Sequence, residues 1–565
     1  MFDTDPLPYF YSPATCQPRS KSYVETLTEN GQGTHVQQLG ATTWDAEKVS
    51  TQNDFLATPT TPWLAADANW QHTKDGEVFK STPLEKLFLL GVMKFATRDP
   101  YGMGVEYEGG KPGWNDAMNG LVGMVGSGMP ETYELQLVLR FVEGVVSKFG
   151  RGIDIPAELK VLVDTIEGAL DELEASGFDD AGVPALDMDR AVPEELFAYW
   201  DVVASAREEY REKIKFSFSG KTAFMDADRT ATILKRFILH TEMGMDRAMK
   251  VGSGGDGDDG TTGVAPSYFH YEAGSWTSTG DVNADGHNYV RANNFTVGTF
   301  PLFLEGPVRM MKTLPQDKET GGAENLRVYE NVKKSGLYDE ELNAYTVSAS
   351  LVGQSYDMGR MMAFSPGWLE NQSVWTHMSY KFYLQLLRAG LSKEFFKELK
   401  GGSMLPFVDF DKYGRSLLEC SSFIASSAFP DEDQHGRGFL ARLSGSTAEF
   451  MSIWVLMFIG KRPFAVADGS GELTMTFEPT LPEWVFDDEG TVGYKLFGQI
   501  AVTYHKEKGT GGEDEGLVDR KPKRFEVEFN GGEKGDVVKV EGPYLPEKIA
   551  DQARRLDVKS IDAYF

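Results

Sequence analysis

Cysteine, histidine and long apolar runs are scarce in this chain of 565 residues. Cys16 and Cys420 are the only cysteines, which excludes a disulfide scaffold and suits an intracellular protein with reduced thiols. The longest apolar run, residues 450–458, is much shorter than the roughly 20 residues of a membrane span. We therefore expect a cytoplasmic protein without a membrane-spanning segment.

Positive charge is also in deficit. The chain has 56 Lys and Arg against 85 Asp and Glu, a formal net charge of −29, and its pI is about 4.8. This balance argues against a broad surface that neutralises nucleic-acid phosphates or anionic lipids. Hydrophobic residues make up 41% and aromatic residues 12% of the chain, which is enough for a large packed core. We expect a globular protein whose partners are neither nucleic acids nor membranes.

Apolar residues recur with helical spacing through most of the chain up to residue 460. The spacing predicts helices, with prolines in their first turns and glycines after several of them, at residues 83–99, 130–150, 156–176, 193–216, 226–250, 307–314, 324–335, 374–389, 393–399 and 447–460. A Gly- and Asp-rich stretch, residues 251–263, is typical of a flexible surface insertion. Long helices joined by loops predict a mainly α fold rather than βαβ units.

The apolar period changes to two after residue 468. Alternating segments predict strands at residues 473–477, 493–497, 500–504 and 524–529. We therefore predict two domains, a helical catalytic domain over residues 1–467 and a small β-rich domain over residues 468–565.

The first candidate site is the Trp114-Asn115-Asp116 segment, in a loop between two predicted helices. An indole offers an apolar face to a sugar ring, and a carboxyl group two residues later can supply a proton. The alternative is a structural turn in which the Trp packs and the Asp caps the backbone.

Two further candidate sites lie nearer the C-terminus. Residues 367–377 contain two Trp, Glu370 and His377, and the His stands at the start of a predicted helix. Ser444 and Gly445 lead into another predicted helix. Hydroxyl groups, a His and unpaired N–H groups at helix starts suit an anion such as phosphate. The alternatives are a His bonded to a carbonyl group and an ordinary capped helix.

The sequence contains no complete motif for binding a metal or a nucleotide. Residues 281–286 begin like a calcium-binding EF-hand loop, but position 12 of that loop is Ala292 instead of Glu. The sequence contains neither a His/Cys metal cluster nor a Walker phosphate loop. We predict no metal and no cofactor.

Seven ordered segments carry a resemblance to a known family. They are residues 99–104 (DPYGMG), 111–116 (KPGWND), 129–132 (MPET), 302–307 (LFLEGP), 366–371 (PGWLEN), 421–428 (SSFIASSA) and 435–450. Together they resemble glycoside hydrolase family 94, the cellobiose-phosphorylase-like enzymes, and within it the 1,2-β-oligoglucan phosphorylases. The matches cover most of the chain up to about residue 480.

The resemblance implies an (α/α)6 barrel followed by a small C-terminal β domain. It also implies that the family's N-terminal β domain and first barrel helices are absent from this chain, so that the barrel is incomplete on its N-terminal side. We expect either a homodimer or a missing N-terminal portion to cover the apolar faces that an open barrel would expose.

The implied activity is inverting phosphorolysis. Short β-linked gluco-oligosaccharides, β-1,2 by the resemblance, would react with inorganic phosphate as co-substrate to give α-glucose 1-phosphate. Asp116 would be the general acid, Trp114 would line the sugar site, and Glu370 would bind a sugar hydroxyl on the leaving-group side. Because a general acid must be protonated near neutral pH, we expect Asp116 either to be buried against Trp114 or to lie near the anionic phosphate.

The phosphate site implied by the resemblance consists of His377, Ser444 and Gly445. Two alternative functions stay open on the same residues. One is a β-glucan hydrolase or transglycosylase, which would need a second carboxylate as its base. The other is an inactive carbohydrate-binding fragment.

Overall fold

The structure of the chain is a computed structural model. It describes residues 7–9, 14–16, 18–28, 31–39, 42–57, 69–108, 113–178, 191–252, 263–316, 322–401, 409–415, 421–441, 445–467, 470–507, 515–531 and 537–565. The chain forms two compact units. The first comprises Met1–Thr313, Glu330–Tyr338 and Thr346–Ser373, and the second comprises Leu314–Tyr329, Asp339–Tyr345 and Val374–Phe565.

The first unit has a helical core. Its helices are Ala46–Ala57, Pro83–Phe95, Met129–Phe149, Ala157–Ala175, Glu194–Lys213, Ala227–Gly252 and Glu305–Thr313. Buried Leu, Ile, Val and Phe side chains from five of these helices form one cluster, in which the rings of Phe95 and Phe237 stack with centroids 4.0 Å apart. The helices from Pro83–Phe95 onward were expected from their periodicity, and the structure confirms them within a few residues, whereas Ala46–Ala57 was not predicted.

Local sequence signals set the helix ends in this unit. Thr82 and Glu85 form a reciprocal capping box, with Glu85 N donating to Thr82 Oγ1 at 3.3 Å and Thr82 N donating to Glu85 Oε2 at 2.7 Å. At the C-terminal end of another helix, Met129–Phe149, Gly150 caps the last turn with a left-handed φ of 60°.

A six-stranded antiparallel sheet packs within the same unit. Its strands, in spatial order, are Thr34–Gln38, Tyr23–Leu27, Asn288–Thr299, Tyr268–Val282, Ser127–Gly128 and Val105–Glu106. The last pair lies next to the start of Met129–Phe149, because Gly128 pairs with both Val105 and Tyr268. This edge of the sheet therefore places residues 105–107, the helix start and Tyr268 side by side.

The two long strands, Tyr268–Val282 and Asn288–Thr299, form a hairpin that the helical interpretation of the sequence missed. Asn283 N donates to His287 O at 2.8 Å, His287 N donates to Asn283 Oδ1 at 2.8 Å, and Gly286 has a φ of 87°. The Asp/Asn/Gly pattern of residues 281–286 is thus the chemistry of a hairpin turn.

The structure also contains several two-stranded ladders. They pair Leu7–Pro8 with Lys80–Ser81, Ala14–Cys16 with Thr42–Trp44, His72–Thr73 with Ser217–Phe218, Ile153–Pro156 with Thr222–Met225, and Tyr338–Asp339 with Ala344–Tyr345. The helix Gly322–Lys334 also belongs to the described fold.

The second unit combines helices with a mixed sheet. Its helices are Thr376–Arg388, Ser392–Gly401, Phe410–Tyr413, Gly445–Phe458 and Glu547–Arg554. Five strands lie in the order Thr491–Leu496, Ile500–His505, Val558–Tyr564, Arg524–Phe529 and Val537–Glu541, and only Ile500–His505 and Val558–Tyr564 run parallel. Smaller sheets join Val374–Trp375, Ser421–Ile424 and Gly438–Ala441, then Phe464–Val466 and Leu473–Met475, then Leu481–Pro482 and Glu515–Leu517.

The predicted fold class is wrong. Of the described residues, 43% are helical and 25% are in strands, several sheets are present, and no (α/α)6 barrel is evident among them. The physical reason is clearest at the hairpin, whose strands were not predicted. Its register shifts between Ala273 and Ser275 and between Ser278 and Val282, so the alternation of apolar and polar residues that indicates a strand is interrupted. The four predicted C-terminal strands are present, while the domain boundary at residue 468 and most of the insertion 251–263 lie outside the described residues.

Candidate functional site

The segment around Asp116 is a short turn held by an apolar core. Residues Asp116–Met118 form a 3-10 turn, with Met118 N donating to Asn115 O at 3.1 Å. Ala117 and Met118 are buried in a cluster with Leu121, Tyr268, Phe303, Met358 and other apolar side chains. The two apolar residues that follow Asp116 thereby fix the turn on the body of the first unit.

Asp116 itself faces water. Its side chain is 59% exposed and its Oδ1 accepts a hydrogen bond from Arg360 Nη2 at 2.7 Å. Burial against Trp114, one of the two environments expected for Asp116, is therefore wrong, while the other, a neighbouring phosphate, stays a prediction. An exposed carboxylate is accessible to a ligand, and an exposed ion pair is weak enough to exchange with one.

A second contact joins the same two segments. Asn119 Oδ1 accepts from Arg360 N at 3.0 Å, and Gly120 N donates to Met358 O at 3.2 Å. A Cβ atom on Gly120 would lie 1.8 Å from Asp357 O, so only glycine permits this approach. The turn and residues 357–360 are thus locked against each other.

Asn115, between Trp114 and Asp116, is a buried polar group without a partner. Its side chain is 4% exposed, and neither amide atom has a hydrogen-bond partner in the described part of the chain. Native structures leave few such groups unsatisfied, and water or a ligand usually completes them. The sequence signal was present, since Asn115 lies inside the motif, but no role was expected for it.

The indole of Trp114 is held from behind by a buried carboxylate. Trp114 Nε1 and Tyr268 Oη both donate to Glu305 Oε2, the latter at 3.0 Å. Arg309 Nη2 donates to Glu305 Oε1 at 3.3 Å. Glu305 is 3% exposed and lies in the first turn of the helix Glu305–Thr313.

A second carboxyl group, Glu131, lies beside this one. Tyr107 Oη donates to both of its oxygens, at 3.2 and 3.1 Å. Burial and the negative charge of Glu305 raise the pKa of Glu131 to about 7. We call Tyr107, Glu131, Tyr268, Glu305 and Arg309 the carboxyl cluster.

A mostly apolar cavity of about 330 Å³ opens next to the carboxyl cluster. Its lining residues are Leu90, Gly91, Lys94, Trp114, Pro130, Glu131, Glu134, Leu135, Val138, Glu305 and Arg309. One wall of this cavity is therefore the indole of Trp114.

Glu370 lies on a strained turn in the first unit. It is 7% exposed, and the residues on either side of the Glu370-Asn371 pair, Leu369 and Gln372, have left-handed φ values of 50° and 58°. Asn371 Nδ2 donates to Phe364 O at 2.8 Å, and Gln372 N donates to Ser348 Oγ at 3.1 Å. Non-glycine residues adopt this conformation at a cost, and such turns cluster at functional sites.

The structure brings two of the predicted phosphate ligands together in the second unit. His377 lies in the first turn of Thr376–Arg388, and Gly445 begins the helix Gly445–Phe458. A Cβ atom on Gly445 would contact His377 Cβ at 3.5 Å. The ring of Trp375 packs edge-on against His377 with centroids 5.7 Å apart. The remaining predicted ligand, Ser444, lies outside the described residues.

The sequence-predicted residues therefore fall into two groups. Trp114, Asp116 and Glu370 belong to the first unit, and His377 and Gly445 belong to the second. Sequence reasoning missed Arg360, Glu131 and Glu305 as members of a site. The two glutamates stand inside segments that carry the resemblance, MPET and LFLEGP, but a carboxylate in an apolar run gives no sign of which distant residue it contacts.

No family model matches the chain, and no curated protein is significantly similar to it. The resemblance to glycoside hydrolase family 94 stays a prediction. Among the described residues, no group of three or more His, Cys, Asp or Glu side chains is arranged to hold a metal ion. In the same part of the chain, every helix is too short or too polar to cross a bilayer.

Proposed function

We propose that this chain is an inverting glycoside phosphorylase. Its substrates are short β-linked gluco-oligosaccharides, with β-1,2 as the linkage, and inorganic phosphate is its co-substrate. The observation that carries the proposal is the turn at residues 114–116, which offers an accessible carboxylate, a held indole and a buried unsatisfied amide within three residues.

Asp116 acts as the general acid in this reaction, and the negative charge of the phosphate co-substrate favours its protonated form. Its carboxylic acid proton passes to the glycosidic oxygen as the bond from that oxygen to C1 of the glucosyl unit breaks. A phosphate oxygen supplies the electron pair for the new bond to C1 from the opposite face. The β-linkage is thereby replaced by an α-phosphate ester, and the rest of the chain leaves as an alcohol.

One carboxyl group is sufficient because phosphate is already an anion. An inverting hydrolase needs a second carboxylate to activate water, whereas a phosphorylase needs donors that position phosphate and balance its charge. His377 and the start of the helix at Gly445 supply such donors in the second unit. The proximity of His377 and Gly445 supports a phosphate site there, and Ser444, the third proposed ligand, lies outside the described residues.

Trp114 and Glu370 bind the sugar. The indole is fixed by Glu305, and aromatic faces of this kind pack against the C–H faces of pyranose rings. Glu370 accepts a hydrogen bond from a sugar hydroxyl on the leaving-group side. The left-handed residues Leu369 and Gln372 around it support this role, because backbone strain of this kind clusters at functional sites.

The test is a phosphate-dependence assay. The purified chain is incubated with β-1,2-gluco-oligosaccharides with and without inorganic phosphate, and glucose 1-phosphate and free sugar are quantified. Product that requires phosphate supports the proposal. Sugar release without phosphate would instead favour a hydrolase, and tight oligosaccharide binding without turnover would favour a carbohydrate-binding protein.

A further inference from the structure

Glu305 accepts hydrogen bonds from three elements of the first unit. Its Oε2 takes Trp114 Nε1–H from the turn and Tyr268 O–H from the base of the hairpin, at 3.0 Å for Tyr268. Its Oε1 takes Arg309 Nη2 at 3.3 Å from its own helix. Both oxygens of this buried carboxylate are therefore committed as acceptors.

The rest of the network holds Glu305 in place. Arg309 Nη1 donates to Glu134 Oε1 at 2.5 Å, and Lys312 Nζ donates to the same oxygen. Arg309 thus bridges a buried carboxylate and a partly exposed one. A guanidinium group that contacts two carboxylates has little rotational freedom.

The geometry points to Glu305 as a positioning residue for the phosphorolysis proposed above: by holding the indole of Trp114, it fixes the turn from which Asp116 reaches the substrate. The inference rests on the proposed function. Glu305 lies behind the indole and is not itself a catalytic residue.

The connection between Glu305 and Asp116 is short. Trp114 and Asp116 are two residues apart, and the 3-10 turn begins directly at Asp116. Any shift of the Trp114 backbone must be taken up by residues 115 and 116, because Ala117 and Met118 are fixed in the core on the other side. Displacing a reacting group by about 1 Å lowers a rate by about 10²-fold.

Glu305→Gln tests this directly. A glutamine has one acceptor oxygen and one NH2 donor, so in either orientation its NH2 faces Arg309 or faces the Trp114 and Tyr268 donors. We expect kcat to fall by about 10²-fold while KM for phosphate stays unchanged.

The second measurement does not depend on activity. The chain has 10 Trp, and selective ¹⁵N labelling gives one indole N–H resonance for each. The Trp114 resonance is assigned by its loss in Trp114→Phe. We expect it to move upfield in Glu305→Gln, because a bond to a charged acceptor is replaced by a weaker one or by none.

Two further variants control the experiment. Glu209→Gln changes an exposed glutamate on the helix Glu194–Lys213, outside the carboxyl cluster, and it should leave the resonance and kcat unchanged. Glu305→Asp keeps the charge and both acceptor oxygens, so it should restore part of the lost kcat. If Glu305→Gln does not fold, Glu305→Asp decides the question by a smaller shift and a smaller loss in the same direction.

The outcomes separate the two proposals. An unmoved Trp114 resonance in a folded Glu305 variant overturns the positioning role, whatever the activity. A moved resonance with wild-type kcat also overturns it. A wild-type protein that makes no glucose 1-phosphate overturns the proposed function, while the resonance still shows whether Glu305 holds Trp114.

Discussion

At the turn and at the carboxyl cluster of the first unit, a carboxylate meets a guanidinium group in opposite surroundings. Asp116 and Arg360 are 2.7 Å apart, and their side chains are 59% and 53% exposed. Glu305 and Arg309 are 3.3 Å apart, and their side chains are 3% and 21% exposed. The first pair is solvated, whereas the second is largely removed from water and has further hydrogen bonds.

The difference in solvation suits the carboxylates Asp116 and Glu305 to different roles. Exposed ion pairs contribute about 0 to 1 kcal/mol, so Asp116 can leave Arg360 for a ligand at little cost. Removing one member of a buried pair costs about 3 to 5 kcal/mol, so Glu305 keeps its partners. Accessible carboxylates are suited to chemistry, and buried, fully bonded ones are suited to holding other residues in place.

The largest expected effect is on activity at the exposed pair. Asp116→Asn removes the transferable proton and should lower phosphorolysis of unactivated oligosaccharides by about 10³-fold. Glucose 1-phosphate formation measures this rate. Asp357→Asn is the matched control, because Asp357 is an exposed carboxylate on the adjoining turn, and near wild-type activity in Asp116→Asn would contradict the assignment.

A large effect on stability is expected at the buried pair. Arg309→Met leaves Glu305 buried without its cation and should lower the free energy of unfolding by about 3 kcal/mol. Urea titration followed by circular dichroism measures this change. Arg291→Met removes an arginine that is 64% exposed and paired with Asp201, and it should cost under about 1 kcal/mol. Equal losses of unfolding free energy in Arg309→Met and Arg291→Met would contradict the difference expected between buried and exposed ion pairs.

The pH dependence of stability sharpens the comparison at Glu131. The pKa of this carboxyl is raised from 4.5 to about 7 by burial and by the charge of Glu305. Below pH 4.5 both folded and unfolded states hold the proton, and above that pH the unfolded state releases it first. The contribution of Glu131 to stability is therefore lost as pH rises from 4.5 to about 7, by up to about 3 kcal/mol.

Glu131→Gln mimics the protonated acid and should abolish this contribution. The variant should gain stability relative to the wild type between pH 5 and pH 8, as measured by urea titration at both values. Glu272→Gln provides a control at an exposed glutamate of the hairpin. A constant difference between wild type and Glu131→Gln at all pH values would argue that Glu131 titrates normally.

The smallest expected effect is at Arg360. Arg360→Met removes the cation beside Asp116 and should change the free energy of unfolding by less than about 1 kcal/mol, because the pair is solvated. Thermal unfolding at low and at high salt measures the difference in stability between Arg360→Met and the wild type. High salt should reduce this difference further, because it screens the exposed ion pair. A loss as large as that of Arg309→Met would show that the turn depends on the ion pair instead of its apolar anchor.

Local patterns predicted much of the secondary structure. The helices at Pro83–Phe95 and Met129–Phe149 carry apolar stripes and proline starts, and both signals act within a few residues of chain. Asp226 caps the helix that follows it, with Arg229 N donating to its Oδ1 at 2.8 Å. Such features are set by neighbours in sequence and need no knowledge of the rest of the fold.

The overall fold and the inner part of the site depend on distant residues. Glu305 meets Trp114 across 191 positions, and Arg360 meets Asp116 across 244. Neither pairing has a local signature, since each requires the sheet, the turn and a helix start to be in place first. The burial expected for Asp116 was wrong for the same reason, because exposure is decided by what packs around a turn.

The hairpin offers a separation that is useful for labelling. Its base at Tyr268 belongs to the carboxyl cluster, while its turn at Asn283–His287 is closed by its own hydrogen bonds and exposes residues 284–286. A fluorophore or a short peptide tag attached at residues 284–286 should leave the register at Tyr268 and Gly128 intact. A label at the distal end of the hairpin therefore allows the carboxyl cluster to be studied by spectroscopy without a substitution in the cluster itself.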